Sequence, residues 1–216
     1  MKFVKDIKGI IFDIDGVLLD SMIIWKDLGV RYLRAKGKEA ESGLSEILFS
    51  MSMEDGAEYI KSHYLPEMPA EEISEGISKM LEDFYFYEVE IKTGADKLLE
   101  SLEEAGVKIT AATSSPREHV ERALSRNGIL RYIDKIFTSS EIGSSKHSPE
   151  IYDAAAKSMG LKREEVCVFE DSLYALKTAA QAGYHTVGVY DANGEADQTG
   201  LEEAAEIYIR DFASIF

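Results

Sequence analysis

The sequence predicts an α/β protein with a parallel sheet, into which an all-helical lobe is inserted after the first strand. Short apolar runs alternate with amphipathic helical patterns in residues 1–20 and 91–216, and this alternation is typical of βα units. Residues 21–90 break that rhythm, because they carry helical patterns and no strand-like run before Tyr87. We therefore predict an α/β core of residues 1–20 and 91–216 and a helical insertion of residues 21–90.

Six apolar runs are the predicted strands of the core. They span residues 7–12, 107–112, 135–138, 166–169, 186–190 and 206–209. The second run follows a helical pattern that stops at Gly106, a common residue at the end of a helix. Further helical patterns separate the later runs, at residues 116–127, 149–159 and 173–182.

The insertion shows three helical patterns. The first ends near Gly37, and the second begins at Ser52 with Asp55 three residues on as a loose capping box. The third has Pro69 in its first turn and one apolar face. That face is formed by Ile73, Ile77, Leu81 and Phe84.

Composition limits the class of protein. The chain has 216 residues, of which 45% are hydrophobic and 30% charged. This length is enough to form one full hydrophobic core and a modest second lobe. No apolar run approaches the roughly 20 residues of a membrane span, and the N-terminus lacks the pattern of a secretory signal. The single cysteine, Cys167, lies in an apolar run, which indicates a buried thiol in a reducing compartment. We expect a cytoplasmic monomer.

The net charge of −16 bears on possible partners. Such a surface repels nucleic acid and anionic membranes, so we expect neither as a partner. An enzyme for anionic phosphate esters would need local positive charge against this field, which makes a lysine near any site informative.

The first predicted strand ends in two acidic residues, Asp13 and Asp15. Ligands of open parallel sheets bind beyond the carboxyl ends of the strands. Residues two apart in an extended segment point the same way, so two carboxylates here require a cation or a proton between them. Magnesium meets that requirement. Taken alone, a plain turn explains the pattern equally well.

Other strand ends carry complementary groups. Thr113 and Ser114 follow the second run and precede a helix, where hydroxyls and backbone amides either bind an anion or merely cap the helix. Glu170 and Asp171 follow the fourth run as a second acidic pair. Lys146 lies in a glycine- and serine-rich loop between the second and the fourth run. Together, these groups at successive strand ends indicate one site.

This order of motifs resembles the haloacid dehalogenase superfamily, specifically its β-phosphoglucomutase-like and phosphatase branch with a helical cap. The resemblance covers essentially the whole chain and implies a Rossmann-like parallel-sheet core with an inserted all-helical cap domain. It implies that Asp13 is the nucleophile and that Asp15 is the general acid, whose backbone carbonyl also binds metal. Thr113, Ser114 and Lys146 would hold the phosphoryl group. Asp13, Asp15, Glu170 and Asp171 would hold Mg²⁺.

Two departures from the family pattern concern rigidity and substrate. His147 replaces the proline that usually follows the lysine, so that loop lacks the stiffness that a proline would give it. Mutases of this family use a cap arginine for a distal phosphate, yet residues 44–53 contain no arginine. Arg31 and Arg34, on the first helix of the insertion, fit a solvated polar face.

The favoured hypothesis is therefore a phosphatase for a small phosphorylated metabolite such as a sugar phosphate. A β-phosphoglucomutase-like isomerase shares every core residue and stays open. A non-catalytic metabolite-binding module is disfavoured, because binding alone needs no general acid at Asp15. Metal-free dehalogenation is disfavoured too, since it needs neither Asp15 nor the acidic pair at Glu170 and Asp171.

Overall fold

The computed structural model describes residues 7–49 and 51–215, which divide into two compact units. Met1–Asp20 and Val89–Phe216 form one unit, and Ser21–Glu88 form the other. The first unit contains the sheet, whereas the described part of the second is helical. The role of the second unit as a cap stays a prediction.

The α/β unit is built on a six-stranded sheet. Its strands are β1 (Gly9–Phe12), β2 (Lys108–Thr113), β3 (Lys135–Thr138), β4 (Val166–Glu170), β5 (His185–Val189) and β6 (Ile207–Ile209). The spatial order is β3-β2-β1-β4-β5-β6, and all neighbouring strands are parallel. Each strand lies within two residues of a predicted run, and the predicted parallel α/β fold is confirmed.

The helices alternate with the later strands of the sheet. They are α1 (Met22–Ala35), α2 (Leu44–Phe49), α3 (Met53–His63), α4 (Ala70–Asp83), α5 (Ala95–Glu104), α6 (Arg117–Arg126), α7 (Ser139–Ile142), α8 (Glu150–Met159), α9 (Leu173–Ala182) and α10 (Gln198–Ala204). The three core helices predicted between the later runs correspond to α6, α8 and α9. Pro116 and Pro149 precede α6 and α8 as N-caps.

Strand β1 lies at the centre of the sheet, and all four of its residues are buried. It pairs with β2 on one side and β4 on the other. Phe12 is in register with Phe169 of β4, and their ring centroids are 4.7 Å apart. Cys167 of the same strand is buried, as predicted. Residues that follow β1, β2 and β4 therefore meet at one edge of the sheet.

Helix α8 packs one face against the sheet. Ile151, Tyr152, Ala155, Ala156 and Met159 of α8 belong to one buried cluster with Ile11, Ala112, Val166 and Val168 of the strands. An amphipathic helix with apolar residues three and four apart buries such a stripe. The packing fixes the position of α8 and of the side chains it directs toward the sheet.

The helical unit follows the predicted pattern with two additions. The Ser52 hydroxyl accepts a hydrogen bond from the Asp55 amide at 3.1 Å, so the predicted cap is present. Pro69 is the N-cap of α4 and lies just outside the helix, because its extended backbone precedes the first turn. The predicted apolar face of α4 is buried. Helix α2 and a π-helical turn at Phe84–Glu88 were not predicted.

Within residues 7–49 and 51–215, no helix combines the length and apolar character that crossing a bilayer requires.

Candidate active site

Asp13 and Asp15 lie immediately beyond the end of β1. The Asp13 amide donates to the Phe169 carbonyl at 2.9 Å, so this residue continues the sheet hydrogen bonding. The chain then turns at Gly16, whose φ of 76° lies in the left-handed region that glycine adopts without strain. Asp13 is buried, whereas Asp15 is half-buried. The turn therefore presents two carboxyl groups in different environments at one strand end.

Lys146 reaches the acidic groups from the loop between α7 and α8. Its side chain is buried, and its ammonium donates to Asp13 Oδ1 and to Glu170 Oε1, the latter at 2.7 Å. Burial alone would lower the pKa of Lys146, but the charges of Asp13 and Glu170 raise it above its usual value. The lysine is therefore a permanent cation between two strand ends.

Asp13, Glu170 and Asp171 form a buried acidic cluster. One carboxylate oxygen from each lies within 4.8 Å of the others. Three carboxylates and the single ammonium of Lys146 leave a formal charge of −3 + 1 = −2. Glu170 Oε2 is buried and has no hydrogen-bond partner among the described residues. A divalent cation with oxygen ligands fits both the charge and the orphaned oxygen.

The electrostatics of the metal-free cluster agree with this fit. Burial raises the pKa of Asp13 to about 8, and the charges of Glu170 and Asp15 add to the rise while Lys146 opposes it. Burial, followed by the charges of Asp13 and Glu170, also raises the pKa of Asp171 well above its usual value. Without a cation, protons compete for these carboxylates.

The hydroxyl groups at the end of β2 and just beyond it lie in three different environments. Thr113 is buried, and its Oγ1 accepts from the Ser115 amide at 3.0 Å. Ser114 is exposed, with its Oγ 3.3 Å from Ser139 Oγ. Ser115 is buried, and its hydroxyl donates to Asp15 Oδ2 at 2.6 Å. The segment thus connects β2 to Asp15 through Ser115.

Of the predicted residues, Asp13, Lys146, Glu170 and Asp171 are brought into one cluster. The Asp15 side chain lies outside that acidic triad and contacts Ser115. Sequence reasoning assigned no role to Ser115, although it named the serine-rich segment after β2. It also missed Tyr152, which follows the pattern of a core residue and carries no acidic or basic group.

His147 has a partner that the sequence did not indicate. Its ring stacks on that of Tyr174, with centroids 4.3 Å apart and planes inclined by 26°. Tyr174 is 43% exposed and is the second residue of α9, the helix that follows the acidic pair. This stacking connects the loop that carries Lys146 to the start of α9. It restrains the loop at position 147, where the family pattern has a proline.

The loop after β5 closes against Asp171. Asp191 in this loop is buried, and its carboxylate pairs with Lys92 at 2.7 Å. Gly194 approaches so closely that an added Cβ would lie 2.8 Å from Asp171 Oδ2. A larger residue at this position would force the carboxylate or the loop to shift.

Comparison with known proteins agrees with this geometry. A family model described as haloacid dehalogenase-like hydrolase matches residues 10–189. The chain is 26% identical over 209 residues to a validoxylamine A 7'-phosphate phosphatase from Streptomyces hygroscopicus subsp. limoneus, covering 95% of this chain and 94% of that protein. It is 23% identical over 180 residues to a phosphorylated carbohydrates phosphatase from Thermotoga maritima, covering 83% of each.

The fold is shared with solved structures as well. The chain superposes on a β-phosphoglucomutase-like protein from Thermotoga maritima with a TM-score of 0.84 and 23% identity, covering 94% of both chains. The two relatives found by sequence are named phosphatases, and the predicted enzyme class, a hydrolase of phosphoric monoesters, is confirmed. The sheet, the acidic cluster and the match over residues 10–189 establish that this chain belongs to the haloacid dehalogenase-like hydrolase family.

Proposed function

We propose that this protein is a magnesium-dependent phosphatase that hydrolyses a small phosphorylated metabolite through an aspartyl-phosphate on Asp13. The observation that carries the proposal is the buried contact of Asp13 with Lys146 inside a cluster whose formal charge is −2. A carboxylate placed beside fixed positive charge can attack a phosphorus atom whose oxygens would otherwise repel it.

The metal site would be formed by Asp13, Glu170 and Asp171, with the backbone carbonyl of Asp15 as the predicted further ligand. Oxygen ligands of this kind suit Mg²⁺. When bound, the cation would offset negative charge on the oxygens of the transferring phosphoryl group. The orphaned Glu170 Oε2 supports its presence, because a buried carboxylate oxygen without a donor is costly.

The first chemical step would transfer the phosphoryl group to Asp13. A carboxylate oxygen of Asp13 forms a bond to phosphorus while the ester P–O bond breaks. Asp15 gives its proton to the departing oxygen, which leaves as an alcohol. The hydrogen bond from Ser115 holds Asp15 in place for this proton transfer.

The second step would regenerate the enzyme. Water attacks phosphorus, Asp15 takes a proton from that water, and the bond between Asp13 and phosphorus breaks to release inorganic phosphate. Splitting the reaction in this way makes each step easier than direct attack of water on the ester. Lys146, Thr113 and the backbone of Ser114 would bind the phosphoryl oxygens throughout.

The ion pairs of Arg31 favour hydrolysis over isomerisation. In the helical unit its guanidinium pairs with Asp27 at 2.9 Å and Glu88 at 3.1 Å, and it lies 5.6 Å from the Phe84 ring centroid. An arginine already paired with two carboxylates is poorly disposed to bind the second phosphate of a bisphosphate. We propose that the helical unit serves as the cap that selects the substrate.

A phosphate-release assay on a panel of phosphorylated sugars and other metabolites tests this proposal. With Mg²⁺ present, we expect inorganic phosphate from at least one sugar phosphate and none once the metal is chelated. The panel should include β-glucose 1-phosphate, assayed for both phosphate and glucose 6-phosphate. Formation of glucose 6-phosphate without phosphate would indicate the mutase instead. Phosphate release that persists in an identically prepared Asp13→Asn protein would contradict the proposal.

A further inference from the structure

Tyr152 of α8 delivers a hydroxyl to the acidic cluster. Its side chain is fully buried, and its hydroxyl donates to Glu170 Oε1 at 2.8 Å. The ammonium of Lys146 donates to that same oxygen at 2.7 Å. Glu170 Oε1 therefore accepts two hydrogen bonds from two separate elements.

The other oxygen of this carboxylate is in the opposite situation. Glu170 Oε2 is buried and finds no donor within residues 7–49 and 51–215. A carboxylate can rotate to exchange its two oxygens, and donors fixed on one oxygen oppose that exchange. Two donors on Oε1 hold the group in one orientation and keep Oε2 available for a cation.

The ring of Tyr152 is fixed by apolar packing that does not need the hydroxyl. It belongs to the cluster formed by α8 and the sheet, and it meets the Tyr184 ring edge-on at a centroid distance of 6.1 Å. A phenylalanine would fill the same volume and make the same ring contacts. The hydroxyl consequently serves Glu170, because core packing alone would be satisfied without it.

We propose that Tyr152 is a positioning residue for the metal ligand Glu170, an inference that rests on the magnesium site of the proposed function. Tyr152 holds Oε1 so that Oε2 faces the cation. Hydrogen bonds that orient a metal ligand commonly determine how tightly the metal binds. Lys146 also donates a hydrogen bond to Asp13, whereas the hydroxyl of Tyr152 donates to Glu170.

The test compares Tyr152→Phe with Tyr184→Phe. Tyr184 lies in the same buried cluster, and its hydroxyl donates to Asp153 Oδ1 at 2.7 Å, away from the acidic cluster. Calorimetric titration of the metal-free proteins with Mg²⁺ and Mn²⁺ gives affinity independently of turnover. We expect about a tenfold weaker affinity in Tyr152→Phe and a change of less than about twofold in Tyr184→Phe. Equal affinities in Tyr152→Phe and wild type would overturn the inference.

A double-mutant cycle identifies the group through which Tyr152 acts. In a Glu170→Gln background, we expect Tyr152→Phe to change Mn²⁺ affinity by less than about twofold, because the oriented ligand is already lost. The full tenfold effect in that background would show that Tyr152 acts elsewhere and would refute the inference. Wild-type protein that binds neither cation would instead refute the proposed metal site itself.

Discussion

At the scale of single residues, the site is an arrangement of buried charges that are incompletely balanced. Asp13 and Glu170 share Lys146, and burial and the charges of Asp13 and Glu170 raise the pKa of Asp171 while Lys146 only partly opposes them. Removing one partner of a buried ion pair typically costs about 3–5 kcal/mol, because the remaining charge is left uncompensated. The cluster therefore gains stability from any ligand that supplies positive charge.

Magnesium affinity should rise with pH because of the raised pKa of Asp13. Below a pKa of about 8 the metal-free carboxyl group holds a proton, which the cation must displace. The apparent affinity for Mg²⁺ should therefore increase from about pH 6 to about pH 8 and then level off. Calorimetric titrations at several pH values measure this increase. An affinity that is constant over that interval would contradict the electrostatic account.

Asp13→Asn provides the control for that pH dependence. The amide cannot bind a proton in this range, so the contribution of position 13 to the slope disappears while that of Asp171 stays. A slope unchanged by this substitution would mean that the titrating group is not Asp13.

Residues with acidic, basic or hydroxyl groups at strand ends were predictable from the sequence, whereas the residues that donate hydrogen bonds to them from other elements were not. Asp13, Lys146, Glu170 and Asp171 stand out because charged groups follow apolar strands or occupy a polar loop. Tyr152 lies 18 residues from Glu170 in sequence and shows only the spacing of a buried helix face. A hydroxyl buried on such a face does not reveal its acceptor until the sheet and helix are assembled.

At the scale of elements, the strands were predictable because buried parallel strands are short apolar runs between helices. Helix α2 was missed because six residues are too few to establish a helical period. The π-helical turn at Phe84–Glu88 continues directly from α4 and contains a run of four aromatic residues, which carries no period of its own. Such segments are determined by packing rather than by local sequence.

The loop after β5 should determine how well Asp171 binds metal. A Gly194→Ala substitution would place a methyl group 2.8 Å from Asp171 Oδ2 and 3.1 Å from Asp191 Cβ, so the carboxylate or the loop must move. We expect Mg²⁺ affinity to fall by about tenfold, as displacements around a metal ligand commonly cause, with the protein still folded. Calorimetric titration and thermal denaturation measure the two effects.

Gly56→Ala is the matched control for that change. Gly56 lies within α3, and an added Cβ would meet only Leu48 Cδ2 at an ordinary 3.7 Å. Alanine should stabilise the helix by up to about 1 kcal/mol and leave metal affinity unchanged. If both glycine variants bind Mg²⁺ as wild type does, the loop has no influence on Asp171.

At the scale of the whole molecule, the net charge of −16 contrasts with the local demand for positive charge at the site. Lys146 and a divalent cation would meet that demand locally, so the acidic surface does not conflict with an anionic substrate.

The core chemistry follows from strand ends that any parallel sheet brings together. Under the proposed function, substrate choice would depend on side chains of the helical unit, and neither apolar periodicity nor charge spacing specifies them. The monomeric state and the absence of nucleic-acid and membrane partners stay predictions.

The central claim, that Asp13 carries the phosphoryl group, is tested most directly by trapping the phosphoenzyme. Asp15→Asn protein should be mixed with p-nitrophenyl phosphate and Mg²⁺, quenched in acid and analysed by peptide mass spectrometry. This substrate has a good leaving group, so the first step needs little acid assistance, whereas hydrolysis of the intermediate lacks its base. We predict one added phosphoryl group on the peptide containing Asp13, removed by hydroxylamine and absent from Asp13→Asn. Turnover with the label on another residue, or undiminished turnover in Asp13→Asn, would contradict the account.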